Sequence, residues 1–346
     1  MLTNTDVSST ISFPTTTSPA ISIIVPIYNV QDYLVTALNS IIKQTFSQPF
    51  EVLLVDDCST DNSRSLCEDF VRAYPERVRL LCHTENQGIS VARNTGLNAV
   101  TGKYFTFVDP DDLLPPNALQ TLYDAAIFHS ADIVKGNHFV FDETGYRPAA
   151  SNIKRTKIYE NEAILAAFFS HKEVTGFTWG KLFLSSAFAQ IPNTPGVKMK
   201  QDTLYCAEIF AQANKLVLIN NTIYHYRLRN SGVTGQKFHT GNYLWWLHSI
   251  EHAGHFARTT DQKARHKELQ IDILLQLARE ARHLDGTQLA AVLKEITHRQ
   301  STWQIARVTH LLEFNPGARA LVKFLALKLA LIQLQKQLKT PIAING

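Results

Sequence analysis

Cysteine is scarce in this chain and carries no pattern. Cys58, Cys67, Cys82 and Cys206 show no metal-ligand spacing, which excludes a cysteine zinc site and leaves them as reduced, mostly buried thiols of a cytosolic protein. Long apolar runs are also missing. Nothing reaches the roughly 18 consecutive apolar residues that cross a bilayer, so the chain is expected to be soluble or to lie on a membrane. Residues 1–20 hold no Lys or Arg and no apolar core, only abundant Ser and Thr. They are not a secretory signal and read as a disordered leader. Charge excess is small. A net charge of +4 and a pI near 8.8 suit anionic substrates or a membrane surface but do not point to nucleic acid.

What is present is globular. The 346 residues are 45% apolar and 18% charged, enough for one large domain or two ordinary ones. From Ile21 onward strands and helices alternate. Ile21–Ile27, Glu51–Val55, Val78–Cys82 and Tyr104–Val108 read as buried strands. Helical spacing follows each of them: Leu34 to Thr45, Leu66 to Tyr74, Ser90 to Val100 and Pro116 to His129. That alternation predicts βαβ units and a mostly parallel sheet. Residues 131–141 read as one or two further strands and 143–157 as a polar loop. Asp202 opens a helix whose apolar face is expected to carry Leu204, Ala207 and Phe210.

Polar clusters close three of the strands: Tyr28-Asn29, Asp56-Asp57, and Asp109 to Asp112. A doubly wound sheet brings such loops to one edge, where ligands bind. Asp109 and Asp111 form a D-x-D pair whose hard oxygens suit Mg²⁺ or Mn²⁺ bridging substrate phosphates. A turn at Pro110 with Asp112 capping the next helix explains the same residues without a ligand. Gly88 supplies a tight turn before a helix. Arg93, one turn in, is a phosphate clamp or a surface ion pair.

Taken in order, these motifs resemble the family 2 glycosyltransferases. The residues that carry the likeness are Ile23-Ile-Val-Pro-Ile-Tyr-Asn29, Gln44-Thr45, Val55-Asp-Asp-Cys-Ser-Thr-Asp61, Asn86 through Gly96, and Phe107-Val-Asp-Pro-Asp-Asp112. Over residues 20–235 the resemblance implies a GT-A fold, a Rossmann-like sheet flanked by helices, and a nucleotide-diphospho-sugar donor. It places Asp57 on the nucleotide base with Pro26 and Tyr28 beside it. Arg93 is placed on the nucleotide, Asp109 near ribose and diphosphate, and Asp111 on a divalent cation. Asp112 supports that loop or faces the donor sugar. Asp202 stands where the family keeps its general base, although Gln201 replaces the usual preceding Glu. Trp179 and Lys181 match a Trp-x-Lys-Leu pattern. Trp179 is a sugar platform or a core residue. His225, Arg227 and Arg229 close over the diphosphate or are strand-end charge. The resemblance implies inverting transfer to a glycan or lipid-linked glycan in bacterial capsule or lipooligosaccharide assembly.

Two other functions compete. A sugar-nucleotide nucleotidyltransferase carries a Gly-rich basic loop after its first strand, whereas Tyr28-Asn-Val-Gln-Asp-Tyr33 has neither Gly nor Lys nor Arg. A non-catalytic nucleotide- or glycan-binding relative has no need of Asp57, Asp109, Asp111 and Asp202 together. The expected division is a leader over 1–20, a catalytic domain over 21–237 and an α-helical region over 241–346. In that region His248, His252 and His255 share a helix face, read as partly exposed surface in preference to a metal site. Residues 318–339 contain no acid and gather Lys328, Gln335, Lys336 and Lys339 on one side. Such a helix lies on an anionic bilayer at the cytoplasmic face, docks on its own domain, or makes a homodimer.

Overall fold

The computed structural model describes residues 18–149, 153–197, 200–229, 240–281, 286–301, 327–328 and 330–332. The chain divides into two compact units. One is built on residues up to Phe168 with the stretch from Lys172 to Gly235, the other on Phe169–His171 and the segment from Gln236.

The first unit begins with a strand whose seven residues are all buried, β1 (Ile21–Ile27). Continuous apolar residues suit it, because α1 (Gln31–Ile42) follows it and strands pair with it on both edges. Leu34, Ala37, Leu38 and Ile41 form the buried stripe of α1. Then come β2 (Phe50–Asp56), α2 (Ser63–Ala73), β3 (Val78–Cys82), α3 (Ile89–Asn98), β4 (Tyr104–Phe107) and α4 (Ala118–His129). Strands β3-β2-β1-β4 run parallel, with Ile27 beside Asp56 and Ile24 beside Phe107. Pro26 lies beyond the last β1–β4 pair, so its missing N–H interrupts no bond to β4. Gly96 is required by packing. A Cβ there would overlap Ile24 Cγ2, so α3 can lie this close to β1 only without a side chain at that position.

Beyond β4 the sheet changes direction. The remaining elements are β5 (Ile133–Asp142), β6 (Gly145–Pro148), β7 (Lys157–Glu160), α5 (Glu162–Phe169), β8 (Lys181–Leu184), α6 (Ser185–Phe188), α7 (Gln201–Gln212) and β9 (Lys215–Arg227). The full order is β3-β2-β1-β4-β8-β5-β9-β7, with β6 beside β5. Strand β8 is inserted antiparallel between β4 and β5, and β5 and β9 pair in parallel. The sheet is therefore parallel in its first half and mixed in its second.

Two local readings are corrected. The stretch 143–157 is not all loop, because it contains β6, folded back on β5 through a turn in which the Thr144 N–H donates to the Asp142 carboxylate. All four β6 residues are exposed, so no apolar alternation betrays the strand. In α7 the buried face is Tyr205, Cys206, Ala207, Ile209 and Phe210, with Leu204 half-buried. The four cysteines are free, three of them buried.

The second unit is helical: α8 (Thr240–Ala253), a 3₁₀ turn (Gly254–Phe256), α9 (Thr260–Glu280) and α10 (Gly286–Ser301). Thr259 and Gln262 close a capping box that starts α9. His266 reaches back from α9 to the Ile250 carbonyl at 2.7 Å and packs on Phe169. The His248, His252 and His255 rings follow one another along α8 and the turn. No group of three or more His, Cys, Asp or Glu among the described residues is placed to hold a metal ion. The 318–339 segment lies outside the described residues except at 327–328 and 330–332. Among the described residues no helix is long and apolar enough to cross a membrane.

Candidate active site

The loops that leave β1, β2 and β4 open into one cavity of about 510 Å³, a volume ordinary for a small-molecule site. Parallel register explains the convergence, since the C-terminal ends of β1, β2 and β4 lie side by side. Pro26, Tyr28, Asp57, Arg93, Asp109, Asp111, Trp179, Asp202 and Arg227 all line it.

At one end Asp57 is held from several sides, with Asn86 Nδ2 donating to its carbonyl at 3.3 Å. Asp57 Oδ1 lies 2.6 Å from His83 Nδ1 and accepts from Gln87 N at 2.9 Å, while Oδ2 accepts from Gly88 N at 2.8 Å. Its own N–H donates to the Ile27 carbonyl. A carboxylate only accepts, so His83 Nδ1 donates to it, while Nε2 lies 2.8 Å from the Thr95 hydroxyl. Gly88, at φ 86°, turns the chain into α3 and aims those two N–H groups at Asp57. Tyr28, 45% exposed, stands at the same wall.

Arg93 projects from the second turn of α3 and is 3% exposed. One Nη contacts Asp109 Oδ1 at 3.4 Å, yet Nε and the other Nη are buried without a hydrogen-bond partner. The guanidinium also lies over the Phe107 ring, 5.7 Å from its centroid. Beside it, burial pushes the Asp109 carboxyl up to about 6. The Arg93 charge opposes that rise and Asp111 and Asp202 reinforce it.

The D-x-D loop is braced from beneath. Asp112 is fully buried, accepting from Tyr224 Oη at 2.7 Å and Arg227 N at 2.7 Å. Burial, with the Asp109 and Asp111 charges, pushes it well above the usual carboxylate range. Tyr224 also receives the Asp109 N–H. Gln44, at the end of α1, donates to the Pro115 carbonyl and accepts from Leu119 N, which moors the loop's exit to α4. Asp111 pairs with Arg229 at 2.7 Å, and its carbonyl accepts from Arg227 Nε at 2.8 Å.

The remaining wall is aromatic. Trp179 stacks on Phe177, Tyr224 and Tyr226 with ring centroids 4.7, 4.6 and 5.3 Å away. At 6% exposure it is mostly a packed core ring, with an edge on the cavity. Asp202, in the first turn of α7, accepts from Thr203 N at 2.9 Å and lies near enough to Asp109 to raise it.

Three residues expected here do not line the cavity. Asp112 lies behind the loop it supports. Lys181 is fully buried, and its ammonium donates to the Phe177 carbonyl. The His225 ring turns away to pack on Phe139 and Tyr146. Arg229 does line it, joined by Tyr226 and Lys200. His83 was missed, although a histidine at the end of β3 repeats the polar-end pattern of β1, β2 and β4.

Comparison with known proteins agrees with this architecture. Residues 22–189 match the model of glycosyl transferase family 2. Glycosyltransferase GlyG of Streptococcus pneumoniae serotype 4 is 34% identical over 231 residues, 64% of this chain and 75% of that protein. Glycosyltransferase GlyA of the same organism is 33% identical over 240 residues, 66% of this chain but only 33% of GlyA. The chain thus spans about a third of GlyA's length. S. aureus TarS 1–349, crystallised with UDP-GlcNAc, superposes with a TM-score of 0.63 at 19% identity, covering 92% of this chain and 91% of that one. The chain belongs to glycosyl transferase family 2.

Proposed function

We propose that the protein is an inverting, divalent-cation-dependent glycosyltransferase, with residues 21–237 as its catalytic part. It moves a sugar from a nucleoside-diphosphate donor to a hydroxyl of a growing bacterial surface glycan. The observation that carries this reading is the meeting, in one cavity, of a buried guanidinium with unused donors and a carboxylate from a separate element. These are Arg93 and Asp202. UDP is the first nucleotide to test, because the TarS neighbour was crystallised with UDP-GlcNAc.

Each residue then has a task. Asp57, fixed by His83, Gln87 and Gly88, keeps lone-pair capacity for a ring N–H of the base, with Tyr28 and Pro26 beside it. Arg93 and Arg227 receive the diphosphate and stabilise charge as it leaves. Asp202 takes the proton of the acceptor hydroxyl as its oxygen bonds to the sugar C1 and the bond from C1 to the diphosphate breaks. Attack from the face opposite the leaving group inverts the anomeric centre, so an α-linked donor gives a β-linked product.

The cation fits the residues present. Asp109 and Asp111 offer hard oxygens. Phosphate and water oxygens would complete the shell, which is how Mg²⁺ and Mn²⁺ are commonly held where phosphates bind. Bound there, the ion would neutralise charge on the diphosphate.

Calorimetry with UDP, GDP, CDP and dTDP, each with Mn²⁺ or EDTA, tests the reading. One nucleotide is expected to bind in the presence of the cation. Binding of none would overturn it.

A further inference from the structure

Asp111 is the carboxylate that the proposed function gives to the cation, yet one of its oxygens is already engaged. Arg229 Nε donates to Asp111 Oδ2 at 2.7 Å, in a pair whose side chains are only 28% and 13% exposed. Arg227, two residues earlier, uses its Nε on the main-chain carbonyl of the same residue. Both guanidinium groups rest on the Tyr33 ring, at 5.2 Å and 5.1 Å.

The two arginines are not held alike. Arg227 ends β9, donates its N–H to Asp112 and lies over Phe141 at 4.4 Å. Arg229 lies past the end of the strand, and its head group is held by the Asp111 carboxylate and the Tyr33 face. A guanidinium and a divalent cation on one carboxylate repel each other, so each weakens the other's hold on Asp111. A diphosphate, however, offers the guanidinium a second anion of matching fork geometry.

We infer that Arg229 is a positioning residue that holds Asp111 Oδ2 until nucleotide arrives, then transfers to the diphosphate. This rests on Asp111 being a ligand for the cation. Free cation binds against the Arg229 charge or displaces it, whereas cation arriving with nucleotide releases Arg229 to a new partner. Cation and nucleotide therefore reinforce each other's binding, by the same factor in either order. The arrangement keeps the carboxylate neutralised in the empty site and discourages a nucleotide-free, metal-loaded state.

The test is Mn²⁺ binding to the nucleotide-free full chain, followed by the electron paramagnetic resonance of free Mn²⁺. A partly buried charge-assisted pair is worth roughly a factor of ten in an equilibrium constant. Arg229→Gln is therefore expected to bind Mn²⁺ about tenfold more tightly than the unaltered protein, and Asp111→Asn to lose that site. Structural damage would weaken metal binding, so a gain is not mimicked by misfolding. Arg229→Ala serves as a second variant, and whichever melts like the unaltered protein carries the test. Unchanged or weaker Mn²⁺ binding in the Arg229 variant, with Asp111→Asn still losing the site, would overturn the inference and leave the metal assignment standing. Mn²⁺ binding unaffected by Asp111→Asn would overturn both.

Discussion

Lys135 and Lys181 lie directly opposite each other on the antiparallel strands β5 and β8, and both are buried. Each donates to a main-chain carbonyl, of Gly136 and Phe177 respectively, and neither forms an ion pair among the described residues. Burial holds Lys135 down to about 7, with the Lys181 charge adding to the effect and Glu173 opposing it. The same two lysines, after burial itself, help to hold His138 down to about 4.

The pair makes stability depend on pH with a definite sign. Lys135 falls from its ordinary 10.5 to about 7 on folding. Between those values the unfolded chain holds a proton that the folded chain has given up, so stability rises with pH across that window. Below about 7 the full cost of a buried ammonium is present. Lys135→Met is expected to stabilise the protein by about 1–3 kcal/mol near pH 6, with the gain shrinking toward pH 10. Melting temperatures of both proteins across pH check this. Curves that stay parallel would contradict it.

Arg93 yields a prediction in which stability and affinity part company. Its Nε and one Nη are buried without partners, and the remaining Nη holds only the 3.4 Å contact to Asp109, so the burial cost offsets most of what the charge contributes. Arg93→Met is expected to leave ligand-free stability within about 1 kcal/mol while weakening nucleotide binding by about 1.5–3 kcal/mol, or 10- to 150-fold. Thermal melts and calorimetry on the same sample separate the two effects. A variant that loses stability and keeps affinity would make Arg93 a structural residue.

Gly96 is a test of packing. An added Cβ would meet Ile24 in the centre of β1, a side chain that is itself fully buried. Gly96→Ala is expected to cost about 1–3 kcal/mol through displacement of α3. Adding Ile24→Ala is expected to restore part of the loss, since it removes the atoms in conflict. Chemical denaturation of the single and double variants measures the coupling, and strict additivity would show that α3 does not press on β1 as described.

Asp202 separates chemistry from binding. If it takes the acceptor proton, Asp202→Asn loses turnover by about 10²–10⁴-fold while nucleotide affinity is kept. Near-full turnover would remove Asp202 from the role of base.

Much of this was legible in the sequence where the signal is local. Strands β1 to β4 announce themselves as apolar runs with polar ends, and parallel pairing then forces Tyr28, Asp57 and Asp109 together. Strand β8 was not legible as a sheet member, because Lys181-Leu-Phe-Leu184 begins with a lysine and nothing local says it will be inserted between β4 and β5. Lysine on a strand ordinarily marks a solvent face, whereas Lys181 is fully buried. The alternation of His225, Arg227 and Arg229 suggests one shared role, but the His225 ring packs on Phe139 and Tyr146 while both arginines reach the cavity. The contact between Arg229 and Asp111 joins residues far apart in the chain, and only the folded loop reveals it.

The most direct measurement is donor hydrolysis by the purified protein. UDP-, GDP-, CDP- and dTDP-sugars would be incubated with Mn²⁺, Mg²⁺ or EDTA, with released sugar and nucleotide read by mass spectrometry. The account predicts cation-dependent release from one class of donor, lost in Asp111→Asn and strongly reduced in Asp202→Asn. Absence of both release and nucleotide binding would contradict it and leave a non-catalytic member of the family as the better description.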